Sequence, residues 1–126
     1  MKLTFLGTGT SQGVPVIACD CGVCLSSDIR DKRLRSSVMI TINNLNYLID
    51  CGPDFRQQML REKIQDIRAI LFTHEHKDHI AGMDDVRAFN FKYQKDMDVY
   101  CDMNVQTALL REYPYVFSDN KYPGVP

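Results

Sequence analysis

The three histidines of this 126-residue chain, His74, His76 and His79, lie in one short segment. Asp78 precedes the last of them, so the segment reads His-x-His-x-Asp-His. Neutral imidazole is the commonest metal ligand in proteins, and carboxylate oxygens complete many zinc sites. Four such side chains directly after the apolar run at residues 67–72 indicate a transition-metal site. A group of polar surface histidines is the alternative interpretation.

The spacing divides these ligands into two pairs. An extended chain turns residues i and i+2 to the same side, so His74 and His76 can reach one ion. Asp78 and His79 are adjacent and point apart, which suits them better to a second ion. Two neighbouring divalent ions can activate water and hold both the attacking and the leaving oxygen of a displacement. The pattern therefore predicts hydrolysis of phosphoesters, thioesters or strained amides, with Zn²⁺ or Mn²⁺ as the metal.

A second group of possible ligands is the cysteine cluster Cys19, Cys21 and Cys24, with the spacing Cys-x-Cys-x-x-Cys. Three thiolates this close can bind one zinc, although structural zinc takes four ligands. A disulfide inside so short a loop would be strained, and reduced thiols without a metal are the alternative. Cys51 and Cys101 follow or end predicted strands, so we expect them to be small buried hydrophobic side chains.

Runs of β-branched residues and turn signals predict a layered α/β or α+β domain. Asp54 is placed to cap a helix whose apolar side includes Leu60 and Ile64. The aromatic residues 89, 91 and 93 are expected in the core, with a pocket lining as the alternative. The segment 14–35 shows little periodicity and is interpreted as an inserted loop that carries the cysteines. We predict strands at residues 2–6, 37–42, 47–49, 67–72 and 99–101, and helices at 54–62, 83–91 and 104–113.

Composition limits the partners and the setting of the chain. The net charge is −1 and the pI is about 6.3, which gives no field that attracts nucleic acid or a membrane surface. No apolar stretch has the length of a membrane span, and no secretory signal is recognised. An odd number of cysteines, five, without such a signal indicates a reducing, cytoplasmic setting. The basic stretch 28–35 is interpreted as a solvated loop, with phosphate binding by its basic residues Arg30, Lys32, Arg33 and Arg35 as the alternative.

Several motifs together resemble the metallo-β-lactamase-fold hydrolases. Residues 73–82, Thr-His-Glu-His-Lys-Asp-His-Ile-Ala-Gly, are similar to the histidine signature of that family. Residues 47–52, Tyr-Leu-Ile-Asp-Cys-Gly, resemble its first motif, a strand that ends in aspartate. Residues 6–15 and 33–37 and the cysteine cluster are similar to the phosphodiesterase-like branch. Within that branch the resemblance is to the cyclic phosphodiesterases of phosphonate breakdown, and the tRNA 3′-processing endonucleases are more distant. The similarity covers residues 2 to about 103.

This resemblance implies an α/β fold, the N-terminal half of an αββα sandwich, with a mixed sheet and helices on one face. It assigns His74 and His76 to the first metal ion, and Asp78 and His79 to the second. Asp78 is also the catalytic residue that accepts or passes a proton, and Asp50 holds the histidine turn from behind. A hydroxide bridging two zinc or manganese ions would attack a phosphodiester, in a small molecule or a nucleotide. The cysteine cluster would bind a structural zinc, whose fourth ligand in the family is a histidine near the C-terminus.

The resemblance also implies an incomplete site. The family takes one more histidine for each metal and a bridging aspartate from later in the chain, and no histidine follows His79. We therefore expect residues 1–126 to be one incomplete domain that lacks a C-terminal half or dimerises, and that is inactive or nearly so alone. The alternatives are a non-catalytic metal-binding or self-associating half-domain, and an endonuclease of the tRNA 3′-processing type.

Overall fold

A computed structural model describes residues 1–118 and contains one mixed five-stranded sheet. The strands lie side by side in their order along the chain. Neighbouring strands pair antiparallel among the first three strands and parallel among the last three. All five predicted strands are confirmed, with shorter bounds for the fourth. They are β1 (Lys2–Gly7), β2 (Ser37–Ile42), β3 (Leu45–Ile49), β4 (Ala69–Leu71) and β5 (Asp98–Tyr100).

The helices are short, and four of them lie between strands while the longest follows the last strand. Asp102 caps the longest of them, because its carboxylate accepts a hydrogen bond from the backbone N–H of Val105 at 2.9 Å. The region predicted as one helix at 83–91 is a 3₁₀ turn at Met83–Val86 followed by an α-helix. A further 3₁₀ turn lies at Ile29–Asp31. The α-helices are α1 (Gly22–Leu25), α2 (Phe55–Arg61), α3 (Lys77–Ile80), α4 (Arg87–Tyr93) and α5 (Met103–Glu112).

The core lies on one face of the sheet, beneath the helices. Met39, Leu48 and Ile70 are paired across β2, β3 and β4 and are at most 1% exposed. They pack with Phe55 of α2 and Leu109 of α5 in one hydrophobic cluster. Burying a side chain of this size contributes about 2 kcal/mol to folding. The arrangement confirms the predicted mixed sheet with helices on one face.

The opposite face of the sheet carries a second apolar row. Phe5, Val38, Ile49, Leu71 and Tyr100 are successive partners across the five strands, so their side chains lie on the same side. The outermost members of this row are exposed, Phe5 by 62% and Tyr100 by 60%. This face is more apolar than a solvated face of an antiparallel sheet.

Several predicted core positions are wrong, for reasons of helix geometry. Helix α2 buries Phe55, Gln58 and Met59, and Leu60 lies off that side and is 61% exposed. Positions 89 and 91 lie on opposite sides of α4, because two residues span about 200° of helix. The residue at 89 packs partly buried against the core, while those at 91 and 93 are exposed. Cys101 is also exposed, because strand pairing ends at Tyr100.

The predicted cap of α2 has a different role. Asp54 makes no capping bond, and its two carboxylate oxygens accept from the backbone N–H and the guanidinium of Arg35. Arg35 also donates to the carbonyl oxygen of Ser11. The side chain is thus held within the protein, which argues against a free phosphate-binding role for Arg35. None of the helices in residues 1–118 combines the length and the hydropathy of a membrane span.

Candidate metal centre

The histidine segment leaves the sheet at the end of β4 and folds back into α3. Strand pairing ends at Leu71, so His74 and His76 lie on the irregular turn that follows the strand. The turn nevertheless brings the imidazoles together. The ring centroids of His74 and His76 are 4.7 Å apart, and those of His74 and His79 are 3.9 Å apart.

Asp78 and His79 form a converging pair at the start of α3. The Nε2 atom of His79 lies 3.2 Å from Oδ2 of Asp78. The expectation that these neighbours point apart is wrong, because helical backbone turns successive side chains by about 100° and not by 180°. Both side chains are mostly buried, with 16% of His79 and 20% of Asp78 exposed.

Asp50 lies behind the turn, at the end of β3, and its carboxylate accepts three hydrogen bonds. Oδ1 accepts from the backbone N–H of Thr73 at 2.8 Å. Oδ2 lies 2.7 Å from Oγ1 of Thr73 and 2.8 Å from Nδ1 of His79. Only 7% of the Asp50 side chain is exposed, so these donors replace water around a buried carboxylate.

The backbone of Asp50 is held in an unusual conformation. Its φ is +62°, a left-handed value that costs a non-glycine residue about 1 kcal/mol and is most accessible to Asn and Asp. The Asp50 N–H donates to the carbonyl of Leu71, and its own carbonyl accepts from the hydroxyl of Ser37 at 2.9 Å. Contacts from β2 and β4 thus fix the turn that aims the carboxylate at the histidines.

Two glycines allow the Asp50 loop and α3 to touch. A Cβ atom on Gly52 would lie 2.1 Å from the carbonyl oxygen of Asp78, and one on Gly82 would lie 2.2 Å from the carbonyl oxygen of Gly52. The backbones are joined by hydrogen bonds from Cys51 to His79 and from Gly82 to Cys51, both 2.8 Å long. Only residues without a side chain fit this approach.

The donor atoms on α3 suit a divalent metal ion. The Asp50 carboxylate accepts from Nδ1 of His79, which leaves the Nε2 lone pair directed at Oδ2 of Asp78. Two such acceptors at 3.2 Å repel each other unless a cation or a proton lies with them. Two ligands about 2.1 Å from a tetrahedral zinc are about 3.4 Å apart, close to this spacing. This spacing suits one ion held by His79 and Asp78, and within residues 1–118 no third His, Cys, Asp or Glu ligand atom lies within 4.8 Å of both.

The cysteine cluster is also assembled. The Sγ atoms of Cys19, Cys21 and Cys24 lie within 4.8 Å of one another, and none of the three thiols is in a disulfide. Sulfur ligands of a tetrahedral zinc are about 3.8 Å apart, so a small adjustment would suffice. Hydrogen bonds from the Cys24 backbone and from the neighbouring thiols lower the pKa of Cys21 to about 7. Among residues 1–118 this is the one set of three His, Cys, Asp or Glu donors this close.

The remaining cysteines differ from each other. Cys51 is fully buried, and burial raises the pKa of its thiol well above the ordinary value. It therefore packs as a small neutral side chain, as predicted, whereas Cys101 is exposed. Thr73 was not predicted to have a role, although this residue stands directly before the first histidine and contacts both Asp50 and His74. Its position between a predicted strand and a ligand was the available signal.

The fold agrees with the comparisons to known proteins. Residues 45–126 match the beta-lactamase superfamily domain, and the chain belongs to this superfamily. It is 46% identical over 127 residues to an octanoyltransferase of Porphyromonas gingivalis, covering 100% of this chain and 25% of that protein. It is 35% identical over 85 residues to a ribonuclease Z of an Exiguobacterium species, covering 66% of this chain and 23% of the relative.

Solved structures place the chain within the metallo-β-lactamase fold. The crystal structure of a diphosphatase from the PhnP family superimposes with a TM-score of 0.88 at 48% identity. The match covers 91% of this chain and 46% of the diphosphatase. Zinc-bound PqqB from Methylobacterium extorquens shares the fold, with a TM-score of 0.75 at 23% identity. The chain thus corresponds to the N-terminal half of the fold and spans less than half the length of these relatives.

Proposed function

We propose that this chain contributes part of the active site of a metal-dependent hydrolase that acts at phosphorus. His74 and His76 bind one metal ion, and Asp78 and His79 bind a second. The observation that carries the proposal is the pair on α3, where Nε2 of His79 and Oδ2 of Asp78 lie 3.2 Å apart. The buried carboxylate of Asp50 contacts the other ring nitrogen of His79. Zinc is the proposed metal, with manganese as the chemically reasonable alternative.

The proposed chemistry follows from the positions of the side chains. Bound divalent ions supply Lewis acidity and make water a nucleophile near neutral pH. Asp78 keeps one edge partly open, at 20% exposure, and is placed to accept a proton from water or pass it to the leaving group. Asp50 is buried and holds the turn. Lys77 is occupied by Glu112 on α5, with Nζ and Oε2 2.5 Å apart.

The proposed substrate is a phosphodiester or diphosphate in a small molecule or nucleotide. Two relatives support a reaction at phosphorus, a diphosphatase at 48% identity and a ribonuclease at 35%. The near-neutral net charge of −1 favours the small-molecule substrate over a nucleic acid, which needs a basic surface. The ribonuclease match supports tRNA 3′ processing as the second candidate. The octanoyltransferase match, at 46% identity over 25% of that protein, is to a protein named for acyl transfer and does not support this proposal.

The site needs donors from outside this chain. Two ligands for each ion bind zinc weakly, and catalytic zinc takes three protein ligands. We propose that a C-terminal half or a second copy supplies the others, and that the chain alone has little activity. A metal-binding or self-associating half-domain without catalysis remains the competing hypothesis. The cysteine cluster binds a separate structural zinc in this proposal, and its three free thiols suit a reducing, cytoplasmic compartment.

A graft tests the proposal. The diphosphatase half that this chain matches is replaced by residues 1–126, and hydrolysis of a phosphodiester and of a diphosphate is measured with Zn²⁺ or Mn²⁺. We expect metal-dependent turnover, a loss of at least about 100-fold in His76→Ala, and little change in Glu75→Ala. Glu75 is an exposed residue of the same turn and serves as the matched control. A folded graft that binds metal and cleaves neither bond would contradict the proposal.

A further inference from the structure

We infer that Thr73 is a positioning residue that sets the tautomer of His74, so that the single carboxylate of Asp50 orients two imidazoles. One imidazole, His79, is bound directly, and the other, His74, is bound through the Thr73 hydroxyl. The inference rests on the proposed function in one respect, because it takes Nε2 of His74 to be the atom that faces the metal.

The direction of each hydrogen bond follows from the chemistry of the groups. An ionised carboxylate only accepts hydrogen bonds, so the one proton of the Thr73 hydroxyl goes to Oδ2 of Asp50, 2.7 Å away. The same hydroxyl oxygen lies 2.9 Å from Nδ1 of His74 and has only lone pairs left to offer. Nδ1 of His74 must therefore carry a proton. In the neutral ring the lone pair is then on Nε2.

Oδ2 of Asp50 thus accepts two hydrogen bonds, each of which leads to one imidazole. One bond comes from Nδ1 of His79 at 2.8 Å and the other from Thr73 at 2.7 Å. In both neutral rings Nε2 is then the unprotonated nitrogen, and the two ring centroids are 3.9 Å apart. Nε2 of His79 lies 3.2 Å from Oδ2 of Asp78. A neutral histidine in water prefers the opposite tautomer, with the proton on Nε2, which could not bind a metal through that atom. The hydroxyl therefore pre-organises His74 for ligation.

The backbone contact of Thr73 separates this role from a structural one. The Thr73 N–H donates to Oδ1 of Asp50 at 2.8 Å, and this bond does not depend on the side chain. Thr73→Val keeps the side-chain shape and this backbone bond and removes the hydroxyl. Thr73→Ser keeps the hydroxyl. The two variants are therefore a matched pair for the test, and Thr73 itself is exposed, so neither disturbs the core.

The experiment reads the tautomers directly. ¹⁵N NMR of the histidine side chains is recorded on the metal-free protein at about pH 8, above the ordinary imidazole pKa. We expect the wild type and Thr73→Ser to carry the His74 proton on Nδ1, and Thr73→Val to carry it mainly on Nε2. His79 keeps its proton on Nδ1 in all three. Zn²⁺ titration then shows a loss of affinity of about 10-fold to 100-fold in Thr73→Val, with most of it restored in Thr73→Ser.

Two outcomes overturn the inference. One is a His74 tautomer that is unchanged in Thr73→Val. The other is a change in both His74 and His79, because Thr73 would then act through the fold of the turn. Since the tautomers are read without metal or substrate, the result is separate from the proposed function. A chain that shows the tautomer change but binds no zinc contradicts the metal site and leaves the role of Thr73 intact.

Discussion

Asp54 and Arg35 are joined by two hydrogen bonds, one to the backbone N–H of Arg35 at 2.8 Å and one to its guanidinium at 2.9 Å. Both side chains are largely buried, at 17% and 28% exposed. The contact ties the start of α2 to the segment that leads into β2. It therefore links the helical layer to the strand whose Ser37 supports the Asp50 turn.

Removing this contact should destabilise the protein. We expect Asp54→Ala to lower the free energy of unfolding by about 2 kcal/mol, because a charged hydrogen-bond partner is lost from a partly buried site. Arg30→Ala is the matched control, since it breaks an ion pair with Asp28 made by a side chain that is 85% exposed. The control should change stability by less than about 0.5 kcal/mol. Urea unfolding measures both, and equal effects would contradict the assigned role.

The close approach of Gly52 to the backbone of Asp78 leaves no room for a side chain at position 52. Gly52→Ala places a Cβ atom 2.1 Å from the Asp78 carbonyl oxygen, so α3 must move away. We expect a loss of about 2 kcal/mol in stability and weaker zinc binding. Gly22→Ala is the control, because a Cβ there meets no atom within 4 Å. Calorimetric zinc titration of both variants checks the prediction, and a Gly52→Ala protein with native affinity would refute it.

The hydrogen bonds of the Asp50 carboxylate lead to a second prediction, which concerns zinc affinity. Asp50→Asn keeps one acceptor oxygen but turns the other position into a donor, which faces the N–H or O–H groups of Thr73 or His79. We expect zinc affinity to fall by about 10-fold to 100-fold, together with a loss of stability. Zinc competition with a coloured chelator gives the affinity. Asp66→Asn, at an exposed position outside the site, should leave it unchanged.

We predict that the cysteine cluster binds a zinc ion of its own, separate from the histidine site. We expect Cys21→Ser to lower the zinc content measured by mass spectrometry and to lower the melting temperature, because a thiolate ligand is lost. Cys101→Ser removes an exposed thiol outside the cluster and should change neither. His76→Ala should leave the zinc of the cysteine cluster in place. A zinc content that is the same in Cys21→Ser and wild type would rule out this site.

The features predicted from the sequence are those decided locally. Alternation and the Asn43-Asn44 turn fixed the β2–β3 hairpin, and both of these residues have positive φ as such turns require. The spacing of His74, His76, Asp78 and His79 identified the candidate site from the sequence, and their metal binding stays a prediction. What escaped prediction depends on distant partners: Asp54 binds Arg35 instead of capping α2, and Thr73 gains its role only because Asp50 lies opposite.

The order of the strands has a consequence for how the protein is made. Each strand pairs with the one synthesised just before it, so no strand must wait for a distant segment. Such local pairing shortens the loops that folding must close and favours early assembly on the ribosome. Once His79 has emerged, Asp50 is already in place to receive it. The histidine turn can therefore take shape while later segments are still being translated.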